Sequence, residues 1–204
     1  MGDKWSNIPD GKTISDTIEA VKSGGIEVFL VDSPKAALEK IIEVIPKGAE
    51  VMNGTSTTLQ EIGFVDFLKS GKHGWKNLHE EIMKEKGWPK QADLRRKATI
   101  AEYFLGGVNA ISKNGELVSC DASGSRVGAY LFSAKNLILV AGVNKITPSL
   151  ETAMQRVREH AFPLENERAK KAYGMGSSVS KWAIIENDRP GRTKLVLVKE
   201  KLGF

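Results

Sequence analysis

At 204 residues, with 41% hydrophobic and 27% charged side chains, the chain has the size and balance of one folded domain rather than a disordered tail. No run of about eighteen apolar residues occurs, so no helical membrane span is expected, and Met1-Gly2-Asp3-Lys4-Trp5-Ser6 lacks the apolar core of a secretion signal. The net charge of +5 is interleaved with acids, as in Lys84-Glu85-Lys86 and Lys199-Glu200-Lys201, which describes a solvated surface and not a nucleic-acid interface.

In chain order, Ile14, Ile18 and Val21 recur at helical spacing and predict a helix over Thr13 to Ser23, stopped by Gly24-Gly25. Ile26 to Val31 is a strand by its branched apolar run. Ser33-Pro34 supplies a cap and a first-turn proline for a second helix, which buries Ala37, Leu38, Ile41, Ile42 and Ile45 and ends at Pro46-Lys47-Gly48. Ala49 to Met52 is a second strand. Alternation of helix and strand predicts a mostly parallel sheet flanked by helices. Residues 64–104 read as a helical insertion, several short helices and then a longer one from about Pro89 to Phe104, which either caps a site or only decorates the domain. Strands return at Val108 to Ser112 and Glu116 to Cys120 around an Asn114-Gly115 turn. Asn136 to Ala141 is continuously apolar, as in a strand buried on both faces. A helix opens at Thr147-Pro148-Ser149 and is interrupted before Pro163. Trp182 to Glu186 and Lys194 to Lys199 are strands around Arg189-Pro190-Gly191-Arg192. With no repeat or linker, residues 1–204 form a single domain.

Three stretches between a strand and a helix could carry chemistry. Asn53-Gly54-Thr55-Ser56-Thr57 combines small residues with hydroxyl donors, suited to cradling a phosphate or carboxylate, or to capping a helix. It lacks the Gly-Lys-Ser/Thr ending of a Walker loop. Asp121-Ala122-Ser123-Gly124-Ser125-Arg126 gathers a carboxylate, hydroxyls and a guanidinium within six residues. Asp121 is suited to acid/base work, or to capping, and Arg126 to bidentate pairing with an anion, or with surface acids. In Gly142-Val143-Asn144-Lys145, Lys145 either faces an anion or is merely solvated. In an open parallel sheet, loops beyond the carboxyl ends of the strands converge on one crevice.

The remaining signals are thinner. Cys120 is the sole cysteine, so it makes no internal disulfide and cannot alone hold zinc or an iron–sulfur cluster. It reads as a small buried hydrophobe in a reducing compartment. His160 reads as structural, and His73 and His79 as exposed. No His, Asp or Glu cluster has metal-ligand spacing.

Several blocks together resemble the LUD (lactate-utilisation) domain family. They are Trp5-Ser6-Asn7-Ile8-Pro9-Asp10, Asn53 through Gly63, Cys120 through Gly128, Val140 through Ile146, and Arg189-Pro190-Gly191-Arg192 with Leu202-Gly203-Phe204. The resemblance implies a fold similar to the NagB/RpiA/CoA-transferase group, in which comparable loops hold the anionic part of a substrate. Isomerase chemistry is not implied, because the Asp-Gly-Ala-Asp-Glu stretch of those isomerases is missing. It further implies a cytoplasmic protein that binds a small anionic metabolite in lactate or related organic-acid utilisation. The expected binding set is Asn53, Gly54, Thr55, Ser56, Thr57, Ser123, Gly124, Ser125, Arg126, Asn144 and Lys145, with Asp121 as acid/base and Glu61 behind it. The residues leave open whether the chain is catalytic, and they name no cofactor; this short form carries no cysteine cluster for an iron–sulfur centre. Two alternatives stand beside this one. One is a non-catalytic subunit docking through Trp75 and Trp88 onto an iron–sulfur oxidoreductase partner. The other is an enzyme acting on CoA esters, folates or sugar phosphates. A homo-oligomer is compatible with each.

Overall fold

The computed structural model describes residues 4–204, so the reading of Met1-Gly2-Asp3 lies outside the described residues. The elements are helix α1 (Gly11–Ser23), strand β1 (Glu27–Val31), α2 (Pro34–Val44), β2 (Glu50–Asn53), α3 (Thr57–Glu61), α4 (Phe64–Lys69), β3 (Lys76–Asn77), α5 (Leu78–Lys84) and α6 (Trp88–Lys97). They continue with β4 (Tyr103–Gly107), β5 (Ala110–Ser112), β6 (Leu117–Asp121), α7 (Ser125–Gly128), β7 (Asn136–Gly142), β8 (Ile146–Thr147), α8 (Leu150–Arg156), α9 (Phe162–Tyr173), β9 (Lys181–Ile185) and β10 (Thr193–Val198). Among the described residues no helix is long and apolar enough to cross a membrane.

Local chemistry explains the helix starts. Asp10 accepts from the Thr13 amide, Ser33 from Ala36, Ser56 from Leu59 and Ser149 from Thr152, each satisfying an amide that the first turn leaves without a helical partner. The Asn114-Gly115 pair turns the chain so that the Ser112 amide reaches the Glu116 carbonyl at 2.9 Å, and β5 and β6 then run antiparallel.

Six strands form one sheet in the order β1-β10-β7-β4-β2-β3, every neighbouring pair parallel. Its core is double because successive side chains alternate across a strand. Leu137, Leu139 and Ala141 of β7 join Leu195 and Leu197 of β10 on the face covered by Ile18 and Val21 of α1. Ile138 and Val140 join Val196 and Val198 on the opposite face, under Ala37 and Ile41 of α2. The apolar run of β7 is therefore buried on both sides.

A second sheet, ordered β8-β5-β6-β9, was not foreseen. Its pairings are parallel between β8 and β5 and antiparallel elsewhere. Ile111, Leu117, Ala183 and Ile185 turn toward the main core. Ala110, Val118 and Cys120 turn toward Ala153 and Val157 at the other face.

Three further expectations need correction. The stretch 64–104 is not helical throughout: α6 stops at Lys97, and Tyr103 opens β4, which lies between β2 and β7. The buried Phe104 and Leu105 belong to the two opposite cores, a strand requirement that helical periodicity cannot meet. The helix is not interrupted before Pro163 either. It runs from α8 through a π-helical turn, Val157–Ala161, into α9, and Pro163 follows directly on that turn. Trp75 is 7% exposed. Its indole Nε1 donates to the Ile45 carbonyl at 3.3 Å and its ring stacks near Phe64, so it belongs to the core and is unfit for docking. Trp88, 67% exposed, keeps the surface position expected of it.

Candidate functional site

The carboxyl ends of β2, β4 and β7 and the end of β6 open onto one cavity of about 570 Å³. Asn53 through Thr58 line it from the end of β2. Gly107 ends β4 and Val108 and Asn109 follow it, Cys120 through Ser123 with Ser125 and Arg126 surround the end of β6, and Lys145 follows β7. The other walls come from distant segments, with His79 on α5, Trp88 and Arg95 on α6, and Glu165 and Arg168 on α9.

Arg126 fastens two of the loops. Its Nη2 donates to the Cys120 carbonyl at 2.9 Å and its Nη1 reaches the Thr55 carbonyl at 3.4 Å. Asp121 holds it in place: Oδ2 accepts the Arg126 amide at 2.9 Å, and Oδ1 lies 3.7 Å from Nη2. The Arg126 side chain crosses directly over Gly54, where a Cβ would fall 2.5 Å from its Cδ. Glycine at 54 is therefore what lets the Arg126 side chain cross here and its guanidinium reach the Thr55 carbonyl.

Asn53 itself is 6% exposed. Its amide nitrogen reaches the Gly54 carbonyl at 3.4 Å, while its Oδ1 has no protein partner. A buried, unsatisfied acceptor is costly unless something donates to it.

Lys145 is 3% exposed, with Nζ donating to Thr58 Oγ1 and to the Val108 carbonyl, both at 3.0 Å. Burial, and next the positive charge of Arg156, push its pKa down to about 7. On the far wall Arg168 is clamped bidentately by Glu165, at 2.7 Å for both bonds. His79 is half-buried on the wall and not simply exposed as expected, and burial followed by the charge of Arg95 lowers its pKa.

Of the residues singled out from sequence, Asn53, Gly54, Thr55, Ser56, Thr57, Asp121, Ser123, Ser125, Arg126 and Lys145 meet on this cavity. Gly124, Asn144 and Glu61 stand away from its wall. Asn144 Oδ1 accepts the Leu202 amide at 3.0 Å, and Glu61 Oε2 accepts the Gly203 amide at 2.6 Å. His160 is likewise off the wall. The residues of α5, α6 and α9 were missed, since nothing in their local sequence ties them to the strand-end loops that they face across the cavity. Among the described residues no three His, Cys, Asp or Glu side chains gather as metal ligands.

The fold and the site define a class first, an α/β protein whose strand-end loops enclose a cation-bearing cavity. The sequence model of the LUD domain matches residues 14–198, and the chain belongs to the LUD domain family. A DUF162 family protein from Deinococcus radiodurans shares its architecture, with 12% identity, 94% of this chain and 99% of that chain covered, and a TM-score of 0.55. At that identity the likeness speaks for fold alone. Ribose 5-phosphate isomerase from Plasmodium falciparum gives 13% identity over 82% of this chain and 93% of that chain, with a TM-score of 0.38. Ribose 5-phosphate isomerase A from Neisseria gonorrhoeae gives 15% over 57% and 54%, with a TM-score of 0.35. These scores are too low to bear on the site. No curated protein matches the sequence.

Proposed function

We propose that the cavity binds a small organic acid, as part of lactate or related organic-acid utilisation, the role that family membership supports in general terms. The observation that carries this reading is that one cavity is lined both by Arg126, which lies across Gly54, and by Asn53, whose buried Oδ1 has no protein partner. A guanidinium is a carboxylate donor, and an unpartnered carboxamide oxygen is an acceptor for a hydroxyl. A 2-hydroxy acid presents both groups on adjacent carbons. Ser123 and Ser125 add hydroxyl donors at the rim. Asp121, with both oxygens turned to Arg126, supports the anchor more directly than it supports acid/base work.

Isothermal titration calorimetry with L-lactate and pyruvate, and with sugar phosphates, folates and CoA esters as competitors, tests this. Arg126→Ala should weaken the organic acid by about 1.5–3 kcal/mol, roughly 10- to 150-fold. A melting curve on the same variant separates lost binding from lost fold. Unchanged affinity in a folded Arg126→Ala protein would remove Arg126 from the site. Tighter binding of a CoA ester or sugar phosphate than of either acid would replace the substrate class.

A further inference from the structure

We propose that Lys145 is an amine nucleophile and that the cavity forms an imine with a 2-oxo acid, a deepening that rests on the organic-acid reading above. Lys145 sits on the cavity wall and is all but excluded from water. Among the described residues its nitrogen has two acceptors, Thr58 Oγ1 and the Val108 carbonyl, and no ion pair. An ammonium carries three donors and a neutral amine two, so two acceptors at 3.0 Å suit the neutral form and leave its lone pair unused.

The charges that face this nitrogen favour the same form. Arg156 and Arg126 oppose a positive charge there, and Glu61, which partly offsets them, is occupied by the Gly203 amide. An amine with a pKa of about 7 in place of 10.5 is neutral at pH 7 about three orders of magnitude more often than an ordinary lysine.

The chemistry needs no further reactant. The carboxylate of the 2-oxo acid sits on Arg126 and its carbonyl carbon faces Lys145 Nζ. The nitrogen lone pair forms the C–N bond, the carbonyl π electrons move to oxygen, and that oxygen takes the proton released from nitrogen. The Thr58 hydroxyl, already bonded to Nζ, is placed to pass it. The carbinolamine hydroxyl is a donor, the partner that Asn53 Oδ1 lacks. Loss of that hydroxyl with a proton as water then gives the imine.

The test is reductive trapping on the full chain. Pyruvate with cyanoborohydride should give one added mass corresponding to a single reduced imine, located at Lys145 by peptide mass spectrometry. L-Lactate, which has no carbonyl, should give none. The adduct should vanish in Lys145→Met and in Lys145→Arg, and Arg126→Ala should raise the pyruvate concentration needed for it. Calorimetry with pyruvate runs in parallel. Binding without an adduct, or an adduct spread over surface lysines and retained in Lys145→Met, overturns the amine proposal and leaves the binding reading standing. L-Lactate binding without pyruvate binding overturns the amine proposal alone, and absence of binding of either acid overturns both.

Discussion

Arg192→Ala is expected to lower stability by about 3–5 kcal/mol, the range for breaking a buried ion pair by removing one partner. The guanidinium is buried. It donates to the carbonyls of Ala129, Tyr130 and Ala134 at 3.0–3.1 Å and to Asp188 Oδ2 at 2.7 Å. The three carbonyls belong to the π-helical turn Ala129–Ser133 and the residue after it, so one side chain fixes that turn to the start of β10. Without it the carbonyls of Tyr130 and Ala134 lose the guanidinium donor, the Ala129 carbonyl is left with the Ala134 amide alone, and the Asp188 carboxylate loses its counter-charge. For a chain of this length the melting temperature should fall by roughly 6–20 °C. Arg192→Lys should recover only part, since an ammonium is a point charge that cannot span the same fork of acceptors. The sign with pH follows from Asp188. Burial tends to raise its pKa, but hydrogen bonds from Thr193 and Arg192 outweigh that and hold it below 3.8. Its contribution is thus complete above the unfolded value and is lost as pH falls through the folded one. Differential scanning calorimetry of wild type and both variants checks the order; a loss under 1 kcal/mol in Arg192→Ala would contradict the bracing role.

Gly106→Ala is expected to cost at least about 1–3 kcal/mol, the overpacking range, although only one methyl group is added. Gly106 lies in β4 beside Leu139 of β7. A Cβ there would fall 1.7 Å from the Tyr130 hydroxyl oxygen and 2.7 Å from its Cζ. The tyrosine has little room to give way. It is 1% exposed, its ring meets Phe104 edge-on at 6.0 Å, and its hydroxyl donates to the Gly107 carbonyl at 3.1 Å. Tyr130→Phe removes the nearest atom, so Gly106→Ala with Tyr130→Phe should be destabilised less than the two single changes sum to. Urea unfolding of the four proteins measures this coupling. Simple additivity would mean that the strand moves away and the tyrosine is not the obstacle.

How much of this was legible in the sequence depended on how local each cause is. The apolar run of β7, the capping serines at 33, 56 and 149, and the Asn114-Gly115 turn act over a few residues, and each could be read from the sequence. The loops at Asn53–Thr57 and Asp121–Arg126 were recognisable because each follows a strand and concentrates small and hydroxyl residues. That Arg126 lies across Gly54 was not, since the two are joined only by the packing of different sheets. β4 escaped because Gly106-Gly107 imitates a loop, while its burial comes from neighbours on both sides. The second sheet escaped for a related reason: β8 and β9 take their places from pairing with β5 and β6, far away in sequence. Trp75 looked like a surface anchor because glycine and charge surround it. Phe64 and the Ile45 carbonyl, which bury it, come from other elements.

The sheet order has a kinetic corollary. β1 hydrogen-bonds in this sheet only to β10, with Glu27 opposite Lys194. On a ribosome adding about 5–20 residues per second, β1 emerges roughly 8–33 s before its neighbour exists. Through that interval its backbone has no strand to pair with in this sheet, the condition that favours aggregation and recruits chaperones. Completion of the sheet must wait for contacts of very high sequence separation, which places the final step of folding late and makes it slow.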